Sequence, residues 1–156
     1  MIEKIYILNG DPRDSAEAIR ITGDTLNKEG CVKNTFVDAC LEREKMFPTG
    51  LPTEIGIAIP HCDSIHVNKS AICLLRPKQP VMFENMGGDE EPVKCELVMN
   101  LTLKKQSDQV VLLRRIINMV QDKEVLKSLI NEKPKKAEEI IRFYLENNEQ
   151  KETLEC

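Results

Sequence analysis

The feature that most constrains this chain is residues 70–76, SAICLLR, an apolar run held between Lys69 and Pro77. A strand that is apolar at successive positions, instead of alternate ones, is buried on both faces and must be covered on both. Residues 3–9 (EKIYILN) read as a second short strand, ended by the turn signal Gly10, Asp11, Pro12. Residues 93–103 read as a third.

Helical signals fall between these strands. Asp14 followed by Glu17 has capping-box spacing and opens a helix in which Ala16, Ile19, Gly23 and Leu26 recur at helical intervals. Gly30 is placed to stop it. Thr35 is expected to cap a second helix running through Val37, Cys40 and Leu41 towards Lys45, and Pro48 limits its extension. Residues 48–60 read as a loop with a short apolar strand at its end, and residues 80–91 as an edge strand followed by a Gly-rich acidic loop. Further helices are predicted over 108–121, 123–130 and 134–145, with a polar, frayed tail at 148–156. The expected fold class is therefore α/β. It is a single domain spanning residues 1–156, with one mixed β-sheet flanked by helices on both sides.

Composition narrows the partners. Aromatics are 4% of the 156 residues and Trp is absent, so the core is aliphatic. A net charge of −4 with so few rings argues against nucleic acid, which wants stacking aromatics on a basic groove. The first residues lack the layout of a secretory signal, and no apolar run has the ~18 residues of a membrane helix. The expected location is the cytosol, without membrane insertion. The six cysteines contain no C-x-x-C spacing, and four lie in apolar or periodic segments. They read as reduced thiols acting as small hydrophobes.

Both histidines lie in residues 56–67, GIAIPHCDSIHV. His61 follows a strand and a proline, where a rigid scaffold presents reactive groups on a loop. Three chemistries can use this cluster. His61, Cys62, Asp63 and His66 are competent metal ligands, but adjacent residues seldom share one ion, and no second cluster completes the set. Cys62 with a histidine base makes a nucleophile, yet sequence neighbours usually point apart. The third is phosphorylation of the imidazole, which demands positive charge or hydrogen-bond donors around the incoming group.

Two residues elsewhere suit that demand. Arg43 falls on the apolar side of its helix with Phe36, Ala39 and Cys40, where a guanidinium needs an anionic partner; Glu44 beside it offers an ordinary pairing instead. Gln109 shares a face with Leu113, Ile116 and Val120 in the first turn of its helix, where backbone N–H groups favour an anion. It can equally finish its own helix end. Spacing leaves both alternatives open.

Taken together, residues 41–46 (LEREKM), residues 56–61 (GIAIPH) with Cys62 and His66 after them, and residues 109–114 (QVVLLR) resemble the fructose–mannitol family of phosphotransferase-system enzyme IIA domains. The similarity is greatest to its galactitol-like branch and covers about residues 3–146. The resemblance implies a mixed sheet with helices on both faces, and a phosphotransferase without metal or cofactor. By the same resemblance His61 accepts a phosphoryl group from phospho-HPr and passes it to a cysteine of enzyme IIB, coupled to a membrane enzyme IIC. Arg43 stands at the family's phosphoryl-contacting arginine. Position 109 is a second histidine in many members, so Gln109 removes a group that can be cationic and leaves a neutral donor. His66 is matched only within the galactitol-like branch, as a supporting residue whose default role is a structural hydrogen bond. The rivals are a regulatory enzyme IIA-like protein acting through protein contacts and a small His/Cys metalloprotein.

Overall fold

The computed structural model describes residues 2–89 and 91–146. Six strands and five helices occur among them: β1 (Lys4–Gly10), α1 (Ser15–Lys28), α2 (Phe36–Met46), β2 (Gly50–Leu51), β3 (Gly56–Ala58), β4 (Ala71–Pro77), β5 (Val81–Phe83), β6 (Val93–Thr102), α3 (Gln106–Val120), α4 (Lys123–Asn131) and α5 (Pro134–Glu146). The strands form one sheet in the order β1-β4-β6-β3-β2, with β5 paired to β6. Pairing is parallel for β1–β4 and β3–β6 and antiparallel for β4–β6, β2–β3 and β5–β6. The sheet is mixed, as the sequence led us to expect.

The central strand β4 is buried from Ala71 to Leu75. Its side chains divide by the two-residue period of a strand. Ile72 and Leu74 enter a cluster covered by α3, α4 and α5, while Ala71, Cys73 and Leu75 enter another covered by α1 and α2. Helices therefore cover both faces. Among the described residues no helix is long and apolar enough to cross a membrane.

β6 changes allegiance along its length. Cys95 faces the α1–α2 side, yet Leu97, Met99 and Leu101 face the other, although all four share the same parity. The cause is a register shift against β3: Gly56 pairs with Cys95, but Ile57 pairs with Leu97. One extra residue in a strand flips every side chain beyond it.

Two local expectations need correction. Asp14 Oδ1 does accept from Glu17 N at 2.9 Å, but the Glu17 carboxylate reaches Arg13 N and Nε instead of closing the box on Asp14. The helix expected from Asp108 begins at Gln106, because Lys105 takes the extended cap conformation and Asp108 falls within the first turn. Gly30, at φ +78°, ends α1 as expected. The expected tail at 148–156 lies outside the described residues.

Candidate active site

The G-x-A-x-P-H segment is shaped by close packing. A β-carbon on Gly56 would collide with the Lys94 carbonyl of β6, so only glycine fits at the register shift. Ala58 is fully buried on the α1–α2 side, whereas Ile57 and Ile59 anchor the opposite core. The Pro60 carbonyl then accepts from Leu101 N at 3.0 Å, extending the contact with β6 beyond β3. His61 is thereby delivered at the carboxyl end of β3 on a backbone that is held to both sides of the bend.

The imidazole is 8% exposed, and its Nδ1 lies 2.8 Å from the Ile59 carbonyl oxygen. A carbonyl only accepts, so Nδ1 carries the proton and Nε2 is left with a lone pair. Burial, joined by the positive charge of Arg43, holds His61 below the ordinary imidazole pKa of 6.5, against the opposing pull of the Ile59 hydrogen bond. The ring is accordingly favoured in its neutral form, with the Nε2 lone pair free.

His61 and Arg43 line one cleft of about 450 Å³, together with Met46, Phe47, Thr49 and Met86. Arg43 does not pair with Glu44. Both Glu44 oxygens are used by Thr49, from its N–H at 2.7 Å and its hydroxyl at 2.8 Å, which fastens the carboxyl end of α2 to the chain entering β2. Burial pushes the Glu44 pKa up, and the two Thr49 bonds pull it back. The Arg43 guanidinium carbon sits 5.3 Å from the Phe47 ring centroid, and its buried Nε has no hydrogen-bond partner.

Gln109 approaches from α3. Its Nε2 donates to the Cys62 carbonyl at 3.2 Å, so the amide neither finishes its own helix end nor lines the cleft; it holds the backbone next to His61. Cys62 Sγ turns away towards the Phe36 carbonyl, 3.9 Å off, and is buried against α2. His66 sits in a 3-10 turn, Ser64–His66, with Nδ1 2.7 Å from Thr35 Oγ1. Thr35 does occupy the cap position of α2, but its hydroxyl makes no cap hydrogen bond. His61 and Arg43 are thus brought together, Gln109 stands one residue away, and His66 lies at the far end of α2. Sequence reasoning missed Thr49 and Phe47; the exposed apolar pair Met46 and Phe47 just after the arginine was the available signal.

The five described cysteines are free and buried. Among the described residues no three His, Cys, Asp or Glu side chains are grouped as a metal site needs.

The chain matches the family model of the phosphoenolpyruvate-dependent sugar phosphotransferase system, EIIA 2, over residues 2–147. It is 36% identical over 118 residues to the galactitol-specific EIIA component of the phosphotransferase system of Escherichia coli strain K12, covering 75% of this chain and 78% of that one. Its fold matches the crystal structure of IIA mannitol from Escherichia coli with a TM-score of 0.68 at 27% identity, covering 88% of this chain and 94% of the other. A chain from the complex of enzyme IIAMTL and phosphorylated enzyme IIBMTL of Escherichia coli gives 0.67 at 27% identity, covering 88% and 92%.

Proposed function

This chain belongs to the EIIA 2 family of phosphoenolpyruvate-dependent sugar phosphotransferase systems, and from that premise we propose that it carries a phosphoryl group on His61 Nε2, taken from phospho-HPr and given to a cysteine of an enzyme IIB. The coarser role, a phosphocarrier in a sugar phosphotransferase relay, follows from the family itself. The observation that carries the finer reading is the Ile59 carbonyl on Nδ1, which leaves Nε2 as the nitrogen able to attack.

The chemistry balances simply. The Nε2 lone pair forms a bond to phosphorus while the bond from phosphorus to the donor's leaving atom breaks, its electron pair departing with the donor. In the second half a thiolate attacks the same phosphorus, and the P–Nε2 electron pair returns to the ring. No proton need leave Nε2, because Nδ1 already holds the only one. The group passed between partners is anionic, and Arg43, with a buried Nε lacking a partner, supplies a charge-assisted donor for its oxygens. Gln109 fixes the Cys62 carbonyl, one residue past His61.

The acceptor assignment is supported by the similarity to an enzyme IIA solved with phosphorylated enzyme IIB. The galactitol-specific relative supports a polyol as the transported class; coupling to a membrane enzyme IIC and a place in the cytoplasm belong to the same proposal. The test is incubation with phosphoenolpyruvate, enzyme I and HPr, followed by intact-mass measurement. One acid-labile, base-stable phosphoryl group is expected, and none on His61→Ala. Persistent labelling of that folded variant removes His61 from the role.

A further inference from the structure

α2 carries Arg43 near its carboxyl end, and two different devices hold the two ends of this helix. The carboxyl end is fastened by Glu44 to Thr49. The amino end lacks its expected cap bond, because Thr35 has helical backbone angles (φ −83°, ψ −8°) in place of the extended ones a cap needs, and its hydroxyl lies 2.7 Å from His66 Nδ1, 31 residues away in the chain. A threonine at this position ordinarily bonds its own helix. Here the hydroxyl instead meets the loop that carries His61.

The surrounding contacts show what is being joined. Lys33 N donates to the His66 carbonyl at 2.9 Å, and Lys33 Nζ to the Ile65 carbonyl at 2.8 Å. Val32 and Val67 form an isolated antiparallel bridge. The segment just before α2 and the segment just after His61 are therefore laced together, and the Thr35–His66 bond is the one of these contacts that reaches the helix itself. From Thr35 to Arg43 is eight residues, about 12 Å along a rigid helix. A small tilt at the amino end is transmitted to the guanidinium.

We propose that the Thr35–His66 hydrogen bond is a strut that sets where Arg43 stands relative to His61, making His66 a positioning residue for phosphoryl transfer. The inference rests on the phosphocarrier reading for its rate consequence, but its geometric content is independent of it. His66 touches no reacting atom. Its bond survives either charge state of the ring: a neutral Nδ1 accepts from the hydroxyl or donates to it, and the protonated ring donates.

The test uses the full chain with His66→Ala, His66→Asn, His66→Gln and Thr35→Val. An asparagine amide sits where Nδ1 stands, and a glutamine amide reaches instead towards Nε2. The maximal rate of transfer from phospho-HPr is expected to fall roughly three- to tenfold in His66→Ala and Thr35→Val, the size of one neutral hydrogen bond, with KM for phospho-HPr unchanged. His66→Asn should recover most of the rate and His66→Gln little of it. The double variant His66→Ala/Thr35→Val should be no slower than either single one. A second readout needs no phosphoryl donor. Arg43 is a cause of the low His61 pKa, so an NMR titration of His61 in His66→Ala should show its pKa rising as Arg43 loses its place.

Unchanged rates and an unchanged His61 titration in His66→Ala overturn the strut. So does a rate loss that is the same in the asparagine and glutamine variants and leaves the His61 titration untouched, for that is the mark of a merely structural bond. An unlabelled wild type overturns the phosphocarrier reading and the rate role with it, while a moved His61 pKa would still establish the positioning of Arg43.

Discussion

The two faces of the sheet are packed from different materials. Under α3, α4 and α5 the strands contribute Ile57, Ile72, Leu74, Leu97, Met99 and Leu101, all bulky and aliphatic. Under α1 and α2 the same strands contribute mostly smaller ones, Ala58, Ala71, Cys73, Cys95, Val93 and Val98 beside Leu75, and all five described cysteines lie on this side. Small side chains let elements approach closely. Gly23 of α1 meets Val37 of α2 so tightly that a β-carbon there would fall 2.7 Å from Val37 Cγ2. This face also buries polar atoms: Asn100 donates to Thr22 Oγ1 at 2.9 Å while its own Oδ1 lacks a partner. One face thus supplies bulk, and the other brings the arginine-bearing helix near the histidine. The site lies on their border, with Arg43 coming from α2 and Gln109 from α3.

The largest effect expected from this contrast is on stability. Leu74 and Cys73 are neighbours in β4, both fully buried on opposite faces. Leu74→Ala should cost about 2–5 kcal/mol in urea unfolding and Cys73→Ala about 1 kcal/mol, because less volume is removed and neighbours can settle into it. Equal losses would mean that the two faces carry the fold alike. The next effect is on transfer. Arg43→Lys should slow it by about tenfold or more, since an ammonium cannot present the guanidinium's planar fork. Arg43→Gln should in addition raise the His61 pKa, because a positive neighbour that disfavours the imidazolium is gone. Transfer should fail on acidification as His61 protonates, so the acid limb of its pH–rate profile should move to higher pH in that variant. A profile that does not move separates Arg43 from the histidine.

Gln109→Leu should act more weakly. It removes one neutral hydrogen bond to the Cys62 carbonyl, and transfer should slow by less than it does for Arg43→Lys. A larger loss than for Arg43→Lys would reverse the ranking of the two faces. Cys62→Ser should change least, since Sγ points to Phe36 and not into the cleft. Complete loss of transfer in the serine variant would reinstate the thiol as nucleophile.

What the sequence made legible was local. The strand at Ala71–Pro77 announced itself by unbroken apolarity, and the bend at Pro60 and His61 by its motif. The stop of α1 at Gly30 followed from a single glycine. What stayed hidden depends on partners far along the chain. No periodicity marks the extra residue that turns β6 over between Cys95 and Leu97, because it exists only in register against Gly56. Thr35 has the residue type of a helix cap, yet its backbone is helical and its hydroxyl meets a loop 31 residues later in the chain. That Thr49 takes both oxygens of Glu44 and leaves Arg43 out of the pairing was hidden too, since both residues lie within reach of the carboxylate along the chain.

The antiparallel step between β4 and β6 has a consequence for how this unit can be linked to others. It turns the start of β1 towards the same sheet margin as the ends of β3 and β6, in the row Lys4, Ala71, Thr102. Arg142 of α5 binds the Ile2 and Glu3 carbonyls at 3.1 and 3.3 Å, so the helix that closes the described chain shares that margin. Three strand spacings, about 14 Å, separate β1 from β3. A domain tethered at residue 2 by even a short flexible linker would therefore meet the histidine as a millimolar reactant held on a leash, without any added affinity.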